Sequence, residues 1–203
     1  YSMLRMLLPV TTVALSLLLS APSSATNNIM LVVDNSGSMK QNDPEFLVRD
    51  TLINFVRNLP ESDRVGILLF GTQSRTILPL TQVSAVAHHI DHNALRDINY
   101  VDQWTDTAAA LEQASYDLKM DSTPSNQKAI VLLTDGIVDT GDKNDSQRRR
   151  EWIINGLAPQ AAQSGIRIFS IAFTQAADFE VLQSIALATG GDYYRILSVD
   201  DMA

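Results

Sequence analysis

The residues of this chain that could bind a cation begin in the stretch "IMLVVDNSGSMK", residues 29–40. An apolar run leads into Asp34, and Ser36 and Ser38 follow at alternate positions. Gly37 lies between the two serines and allows a tight turn that aims all three oxygen-bearing side chains at one point. The stretch therefore predicts a buried strand that ends in a cluster of oxygen donors.

Two further segments supply donors of the same kind. "IVLLTDG" places Asp135 at the end of a second apolar run, and "QWTDTAAAL" offers Thr105 and Thr107 just before a helical pattern. In sheets of parallel strands, ligands bind beyond the carboxyl ends, where such loops meet. Carboxylate and hydroxyl oxygens suit Mg²⁺, Mn²⁺ or Ca²⁺ better than zinc or copper. The residues predict a hard-cation site, with no neighbour that would activate a nucleophile and no catalytic residue.

The elements that must position these loops alternate along the chain. Apolar runs predict strands at Ile29–Asp34, Arg64–Phe70, Arg75–Leu80, Lys128–Thr134, Arg167–Ala172 and Asp192–Ile196. Helical spacing of apolar residues predicts helices at Pro44–Asn58, Thr107–Met120, Trp152–Gln163 and Asp178–Thr189. The first helix would have Asp43 as its N-cap. The polar stretch 139–150 is expected to be a surface loop that runs into a helix.

This alternation predicts an α/β fold, a doubly wound and mostly parallel central sheet with helices on both faces. "LFGTQSRTILPL" reads as a hairpin, which would add one antiparallel strand at an edge. One domain is expected over residues 26–203, in which the final helix of such a fold would be lacking.

Composition excludes several classes of function. The 203 residues include 15 basic and 23 acidic side chains, for a net charge of −8. This balance disfavours a nucleic-acid surface, which needs an excess of lysine and arginine. There is no cysteine, so disulfides, iron–sulfur clusters, thiolate zinc sites and cysteine nucleophiles are excluded.

The N-terminal stretch differs from the rest. Residues 1–25 contain one positive charge at Arg5, an apolar run and a tail of small residues, the pattern of a secretory signal peptide. Residues 4–21 are also long enough, at the lower limit, for an uncleaved membrane anchor. Both readings predict export to a periplasmic, extracellular or cell-surface location, with membrane association in the second.

The five donors resemble the metal-ion-dependent adhesion site of von Willebrand factor type A domains. The resemblance extends from residue 28 to about residue 200 and implies metal ligands at Asp34, Ser36, Ser38, Thr105 and Asp135. It favours Thr105 over Thr107, because the family uses the first threonine of its "T-x-T". It also implies a coordination position left to water or to an Asp or Glu carboxylate of a protein partner.

The residues that border these ligands would form the rim that a partner contacts: Asn35, Trp104, Gly136 and Ile137. The chain departs from the family at Gln103-Trp104, where glycines are usual. Trp104 is either an aromatic anchor for the partner or a side chain that packs on the following helix.

Other candidate sites have simpler readings. His88 and His92 in "AHHIDHN" are spaced for a transition metal on a helix, but no third ligand is nearby, and a solvated helical face is the simpler reading. Arg148, Arg149 and Arg150 are expected at a solvated helix start. Asp139 and Asp142 are expected to cap loops.

The sequence thus predicts a non-enzymatic, divalent-metal-dependent protein-binding module outside the cytoplasm. One alternative is an N-terminally anchored subunit or assembly factor of a larger membrane complex. A less favoured alternative is a Mg²⁺-dependent phosphotransfer enzyme. Two features disfavour it: Ser36 lies where such enzymes usually have a second acid, and no lysine follows "IFSIAFT".

Overall fold

A computed structural model describes residues 26–123, 127–136, 138–172 and 179–195 of the chain. The six described strands form one sheet in the order β3-β2-β1-β4-β5-β6. Their bounds are β1 Asn27–Asp34, β2 Arg64–Phe70, β3 Ser74–Gln82, β4 Gln127–Thr134, β5 Ile166–Ala172 and β6 Tyr193–Arg195. All neighbouring pairs are parallel except β2 and β3, which form the predicted antiparallel hairpin. The predicted α/β fold is confirmed.

Helices cover both faces of the sheet. Their bounds are α1 Met39–Asn42, α2 Leu47–Asn58, α3 Val83–Val86, α4 Thr107–Met120, α5 Lys143–Trp152, α6 Ala158–Gln163 and α7 Phe179–Thr189. A single π-helical turn, Ile153–Leu157, joins α5 to α6. The polar stretch predicted as a loop is therefore helical from Lys143 onward, with Asp142 as its N-cap.

Strand β1 explains how one sheet serves two cores. All eight of its residues are buried, and successive side chains point to opposite faces. Ile29 and Leu31 pack in the core under α2, whereas Met30 and Val32 pack in the core under α4, α6 and α7. A strand buried on both faces cannot alternate polar and apolar residues, which is why its sequence is an apolar run.

Helix α2 begins three residues later than predicted. Phe46, the residue before it, has a φ of 55°, so the chain enters the helix through a left-handed residue rather than through Pro44. Asp43 still acts on this helix, because its carboxylate accepts hydrogen bonds from the amides of Leu47 and Val48 at 2.7 and 3.0 Å. The prediction that Asp43 caps this helix is therefore confirmed for its side chain, but the N-cap position itself is occupied by Phe46.

Three predicted features fall outside the described residues. They are the N-terminal segment 1–25, the end of the last predicted strand with the segment up to Ala203, and Ile137. The central strands β1 and β4 lie side by side in register, with Val33 opposite Leu133. The loops after Asp34 and after Thr134 consequently leave the same edge of the sheet.

Candidate metal centre

Asp34 ends β1 as a fully buried carboxylate that is held from two sides. Its Oδ1 accepts a hydrogen bond from the Ser36 amide at 2.8 Å. Its Oδ2 accepts one from the Thr134 hydroxyl at 2.7 Å, and Thr134 is the last residue of the neighbouring strand β4. The carboxylate is therefore oriented from two sides, by the loop that follows β1 and by the end of β4.

Ser36 and Ser38 bring two hydroxyl oxygens together above this carboxylate. Their Oγ atoms lie 3.1 Å apart, and Ser36 is buried whereas Ser38 is exposed. Gly37 between them does not have a positive φ, and an added Cβ would come no closer than 3.5 Å to the Asp102 carbonyl. The backbone at residue 37 therefore does not itself require glycine, and the Gly37 amide is held by a hydrogen bond to the Asp102 carbonyl.

Asp135 follows β4 and is also fully buried. Its Oδ2 accepts a hydrogen bond from the Asn42 amide of α1 at 3.1 Å. Its Oδ1 is buried without a hydrogen-bond partner among the described residues. Gly136 turns the chain away from the site with a φ of 90°, a conformation that favours glycine, and its amide donates to Thr134 Oγ1 at 2.9 Å.

The two carboxylates repel each other at close range. Burial, followed by the negative charge of Asp135, raises the pKa of Asp34 to about 7. In the described part of the chain, neither carboxylate forms an ion pair with a lysine, arginine or histidine. The described residues therefore bring two buried acids together with no lysine, arginine or histidine paired to either.

The loop before α4 brings Thr105 to the same edge of the sheet. Its backbone pairs with Asp139 in the loop after β4, through N–O distances of 2.6 and 3.1 Å. Three residues earlier, the Asp102 carbonyl accepts a hydrogen bond from the Gly37 amide at 2.8 Å. Thr105 and Thr107 are both buried, and the choice between them as a ligand stays a prediction.

The predicted rim is only partly at the surface. Asn35 and Gly136 are buried, so they support the rim from beneath rather than offering a contact. Trp104 is half-buried and lies against Gly141, where an added Cβ would come within 2.8 Å of its ring. Ile137 lies outside the described residues.

The other candidate groups are structural. His88 and His92 lie in turns after the short helix α3, so the helical spacing predicted for them is wrong, and His92 Nε2 lies 2.9 Å from Asp50. Asp139 and Asp142 accept hydrogen bonds from the amides of Gly141 and Asp145, which confirms that they cap loops and helices. The described residues contain no cluster of three or more histidine, aspartate or glutamate side chains spaced for a metal.

The tertiary structure adds three positioning roles that sequence reasoning missed, one of them for Asn35, which the sequence predicts only as a rim residue. Thr134 orients Asp34, Asn42 holds Asp135, and Asn35 links the loop after β1 to residues 99–102. Thr134 could have been suspected from its place before Asp135 in "TDG". The roles of Asn35 and Asn42 depend on partners far along the chain, so no local signal identifies them.

Within the described part of the chain, no helix combines the length and the apolar character needed to cross a membrane.

Comparison with known proteins gives one family and several relatives. Residues 28–203 match the von Willebrand factor type A domain family. The uncharacterized protein YfbK of Escherichia coli K12 is 29% identical over 115 residues, which is 57% of this chain and 20% of YfbK. Human matrilin-4 is 23% identical over 156 residues, which is 76% of this chain and 24% of matrilin-4. The chain thus spans about a fifth to a quarter of the length of these curated relatives.

A solved structure supports the same fold. An aerotolerance-related membrane protein from Bacteroides fragilis superposes with a TM-score of 0.59 and 20% sequence identity, covering 87% of this chain and 94% of that one. The family match covers most of the chain, and the sheet order and the helices on both faces agree with it. This chain belongs to the von Willebrand factor type A domain family.

Proposed function

We propose that this protein is a divalent-metal-dependent protein-binding module. Its ligands for Mg²⁺, or for Mn²⁺ or Ca²⁺, would be the five side chains Asp34, Ser36, Ser38, Thr105 and Asp135. A bound ion would supply an electrophilic position for an Asp or Glu carboxylate of the partner protein. Von Willebrand factor type A domains typically mediate protein–protein interaction or adhesion, and the proposal applies that role to this edge of the sheet.

The pair of buried carboxylates is the observation that carries the proposal. Two ionised acids in a buried site destabilise each other and the fold unless a cation neutralises them. Asp135 Oδ1 is buried and unpaired within the described residues, which suits an acceptor whose partner is an ion or its water. Two carboxylates with hydroxyls form a donor set of the kind that hard cations prefer, so the residues fit the group.

The geometry also supports binding rather than phosphotransfer. A nucleophilic aspartate needs a free oxygen aimed at its substrate. Asp34 has no exposed surface from which to reach a substrate, and Ser36 stands two residues later, where phosphotransfer sites usually have a second acid. We therefore propose a non-enzymatic role, and a phosphatase activity that disappears in Asp34→Asn would contradict it.

Export is a separate proposal. The N-terminal pattern of a charged residue, an apolar run and small residues supports either a cleaved signal peptide or a retained anchor. An anchored form would favour the alternative role as a subunit or assembly factor of a membrane complex. The mass of the mature protein distinguishes the two, because cleavage would remove about 25 residues.

Thermal unfolding with and without Mg²⁺ tests the metal site. At 100 times its dissociation constant, an ion that binds only the folded state stabilises it by about 2.7 kcal/mol, or about 5–10 °C in Tm for a domain of this size. The shift should vanish in Asp34→Asn. Asp63→Asn is a matched control, because Asp63 is equally buried but bonds Asn27 at the opposite end of β1.

Asp63→Asn should lower the starting Tm and keep the Mg²⁺ shift. A shift that survives in Asp34→Asn would contradict the proposed ligand set.

The partner chemistry is tested with an immobilised peptide library in Mg²⁺. Bound peptides should all contain Asp or Glu, and should be released by EDTA and by replacement of that residue with Asn or Gln. Binders that survive both treatments would contradict the carboxylate role.

A further inference from the structure

We propose that the buried amide of Asn35 is a positioning group that makes the metal centre selective for Mg²⁺ over Ca²⁺. This inference rests on the proposed function and concerns the selectivity of the same site. Asn35 lies between Asp34 and Ser36 and is 2% exposed. Its side chain reaches neither the solvent nor the ligand cluster, and instead holds the loop that leads to Thr105.

All the hydrogen-bonding atoms of the Asn35 side chain are used on that loop. Its Oδ1 accepts from the amides of Asn99 and Tyr100 at 2.8 and 2.9 Å. Its Nδ2 donates to Asn99 Oδ1 at 3.2 Å and to Asp102 Oδ2 at 3.1 Å. An amide can accept two hydrogen bonds and donate two, so the side chain is saturated by residues 99–102.

The backbone around Asn35 reinforces the same connection. The Asn35 carbonyl accepts from the Asp102 amide at 3.3 Å, and the Gly37 amide donates to the Asp102 carbonyl at 2.8 Å. The Asn35 amide donates to the Phe70 carbonyl at the end of β2 at 2.7 Å. The loop of residues 34–38, the end of β2 and residues 99–102 therefore form one hydrogen-bonded unit, with Asn35 at its centre.

Tyr100, which this hydrogen-bonded unit contacts, has a strained backbone conformation that its surroundings must hold in place. Tyr100 has a φ of 55°, a conformation that a non-glycine residue adopts at a cost. Its amide is held by Asn35 Oδ1, and its side chain is fully buried. Without the amide of Asn35, the strained backbone at Tyr100 loses the hydrogen bond that its own amide donates, and is held through its buried ring and the bond from its hydroxyl to Asp43.

This loss would affect how Thr105 lies relative to the loop of residues 34–38. The loop from residue 99 to residue 106 is anchored at its far end by the Asp106 amide on the Gly71 carbonyl, at 2.9 Å, and by the Thr105–Asp139 pairing. Its near end is held by the side chain of Asn35 and by two backbone bonds, from the Asp102 amide to the Asn35 carbonyl and from the Gly37 amide to the Asp102 carbonyl. Because Thr105 is held by Asp139, loss of the Asn35 side-chain anchor loosens the position of Asp34 and Ser36, the residues on either side of Asn35, relative to Thr105.

Ion selectivity follows from that rigidity. Mg²⁺ requires near-ideal octahedral geometry with ligands at about 2.0–2.1 Å, whereas Ca²⁺ accepts about 6–8 ligands at about 2.3–2.6 Å in flexible arrangements. A site whose third loop is fixed by a saturated amide can satisfy the smaller ion. A loosened loop would penalise Mg²⁺ more than Ca²⁺.

The test compares Asn35→Ala with Asn27→Ala by calorimetric titration of Mg²⁺ and Ca²⁺ into the whole protein. Asn27 is a buried amide at the opposite end of β1, where it bonds Asp63 at 3.0 Å, so both variants lose a buried amide. Asn35→Ala should weaken Mg²⁺ binding at least tenfold and Ca²⁺ binding less than threefold. Asn27→Ala should change neither. An unchanged Mg²⁺-to-Ca²⁺ affinity ratio in Asn35→Ala would overturn the inference.

Two further measurements keep the test decisive. If Asn35→Ala does not fold, Asn99→Ala can be used instead, because it removes one hydrogen bond of the Asn35 side chain at a part-exposed residue. It should lower Mg²⁺ affinity two- to threefold and leave Ca²⁺ affinity unchanged. An unchanged ratio of the two affinities would overturn the inference. In metal-free protein, hydrogen exchange at the Tyr100 amide should be at least tenfold faster in Asn35→Ala than in Asn27→Ala, and equal rates would overturn the positioning role. If the unaltered protein binds neither ion, the proposed function fails together with this inference.

Discussion

Asp34 and Asp135 are buried carboxylates whose proximity is costly in the metal-free protein. Burial and the charge of Asp135 raise the pKa of Asp34 to about 7, so the folded protein holds a proton that the unfolded chain releases near pH 4. The contribution of Asp34 to the stability of the metal-free protein is therefore present below about pH 4 and is lost as pH rises to about 7. A site that reduces stability when empty is expected where function requires the charges.

Asp135→Asn should separate the repulsion between the two carboxylates from metal binding. The amide oxygen that this substitution introduces can still accept the hydrogen bond from Asn42, while the charge beside Asp34 is removed. In EDTA at pH 8, we expect the variant to be more stable than the unaltered protein by about 1 kcal/mol. The stabilisation by Mg²⁺ should be lost. Urea unfolding measures both, and a variant less stable in EDTA at pH 8 would contradict the repulsion.

Individual residues of the candidate site differ in how far the sequence reveals them. The five proposed donors can be chosen from residue type, order and position after apolar runs. Their supports cannot, because Asn42 and Asp135 are 93 positions apart, and Asn35 and Asp102 are 67 positions apart. Such pairs depend on the folded chain rather than on any local pattern.

At the scale of elements, the start of α2 shows how a buried polar pair replaces an ordinary cap. The Tyr100 hydroxyl donates to Asp43 at 2.5 Å, and Asp43 also accepts from two amides at the start of α2. Burial raises the pKa of Tyr100, and the hydrogen bond to Asp43 raises it further, so the phenol stays a donor. The Tyr100 ring stacks on Phe46 with centroids 4.8 Å apart.

Tyr100→Phe removes only the hydroxyl of this arrangement. The ring can keep its stacking on Phe46, but one hydrogen bond to the buried carboxylate of Asp43 is lost. We expect the free energy of unfolding to fall by about 1–3 kcal/mol, the usual cost for a buried charged acceptor. Guanidinium unfolding measures this. A change below about 0.5 kcal/mol would contradict the importance of this link between α2 and the loop before α4.

Sequence reasoning misplaces two elements for identifiable reasons. Helix α5 has no buried residue, so it lacks the apolar period that signals a helix, and only its N-cap Asp142 marks it. The start of α2 is misplaced because Phe46 has a left-handed conformation and stacks on Tyr100, a residue far along the chain that no local pattern connects to it. In contrast, β1, β2 and α4 follow their patterns closely, because their apolar residues face the cores directly.

The end of α4 is tied to the sheet by an ion pair with a pH dependence of its own. Arg64 at the start of β2 lies 2.8 Å from Asp121, the residue after α4. Burial alone would raise the pKa of Asp121, but hydrogen bonds from Thr123 and Arg64 outweigh it, and the pKa is lowered. The pair therefore contributes stability above the unfolded-state pKa of about 3.9, and loses it as pH falls toward the folded-state value.

Asp121→Asn tests this contribution. The single amide oxygen can still accept the bond from the Thr123 amide, so the variant removes the ion pair with Arg64 together with its hydrogen bond. We expect a loss of about 1 kcal/mol in unfolding free energy at pH 7, and a smaller difference at pH 3, which lies below the unfolded-state pKa of about 3.9. Parallel urea titrations at the two pH values measure it, and an equal difference at both would contradict the assignment.

At the scale of the whole molecule, the sheet order brings the candidate site together. Strands β1 and β4 are neighbours at the centre of the sheet, so residues about 100 positions apart meet at its carboxyl edge. The alternation of strands and helices predicts this arrangement before any side chain is considered. The edge hairpin of β2 and β3 is equally predictable from its two strand-like runs and short turn.

The most direct test of the account is the position of a bound ion. Anomalous diffraction from crystals grown in Mn²⁺ would locate it without reference to activity or partner. We expect one strong peak enclosed by the side chains of Asp34, Ser36, Ser38 and Asp135, with Thr105 rather than Thr107 on its remaining side. A strong peak elsewhere with none at this edge of the sheet, or none anywhere at saturating Mn²⁺, would contradict it.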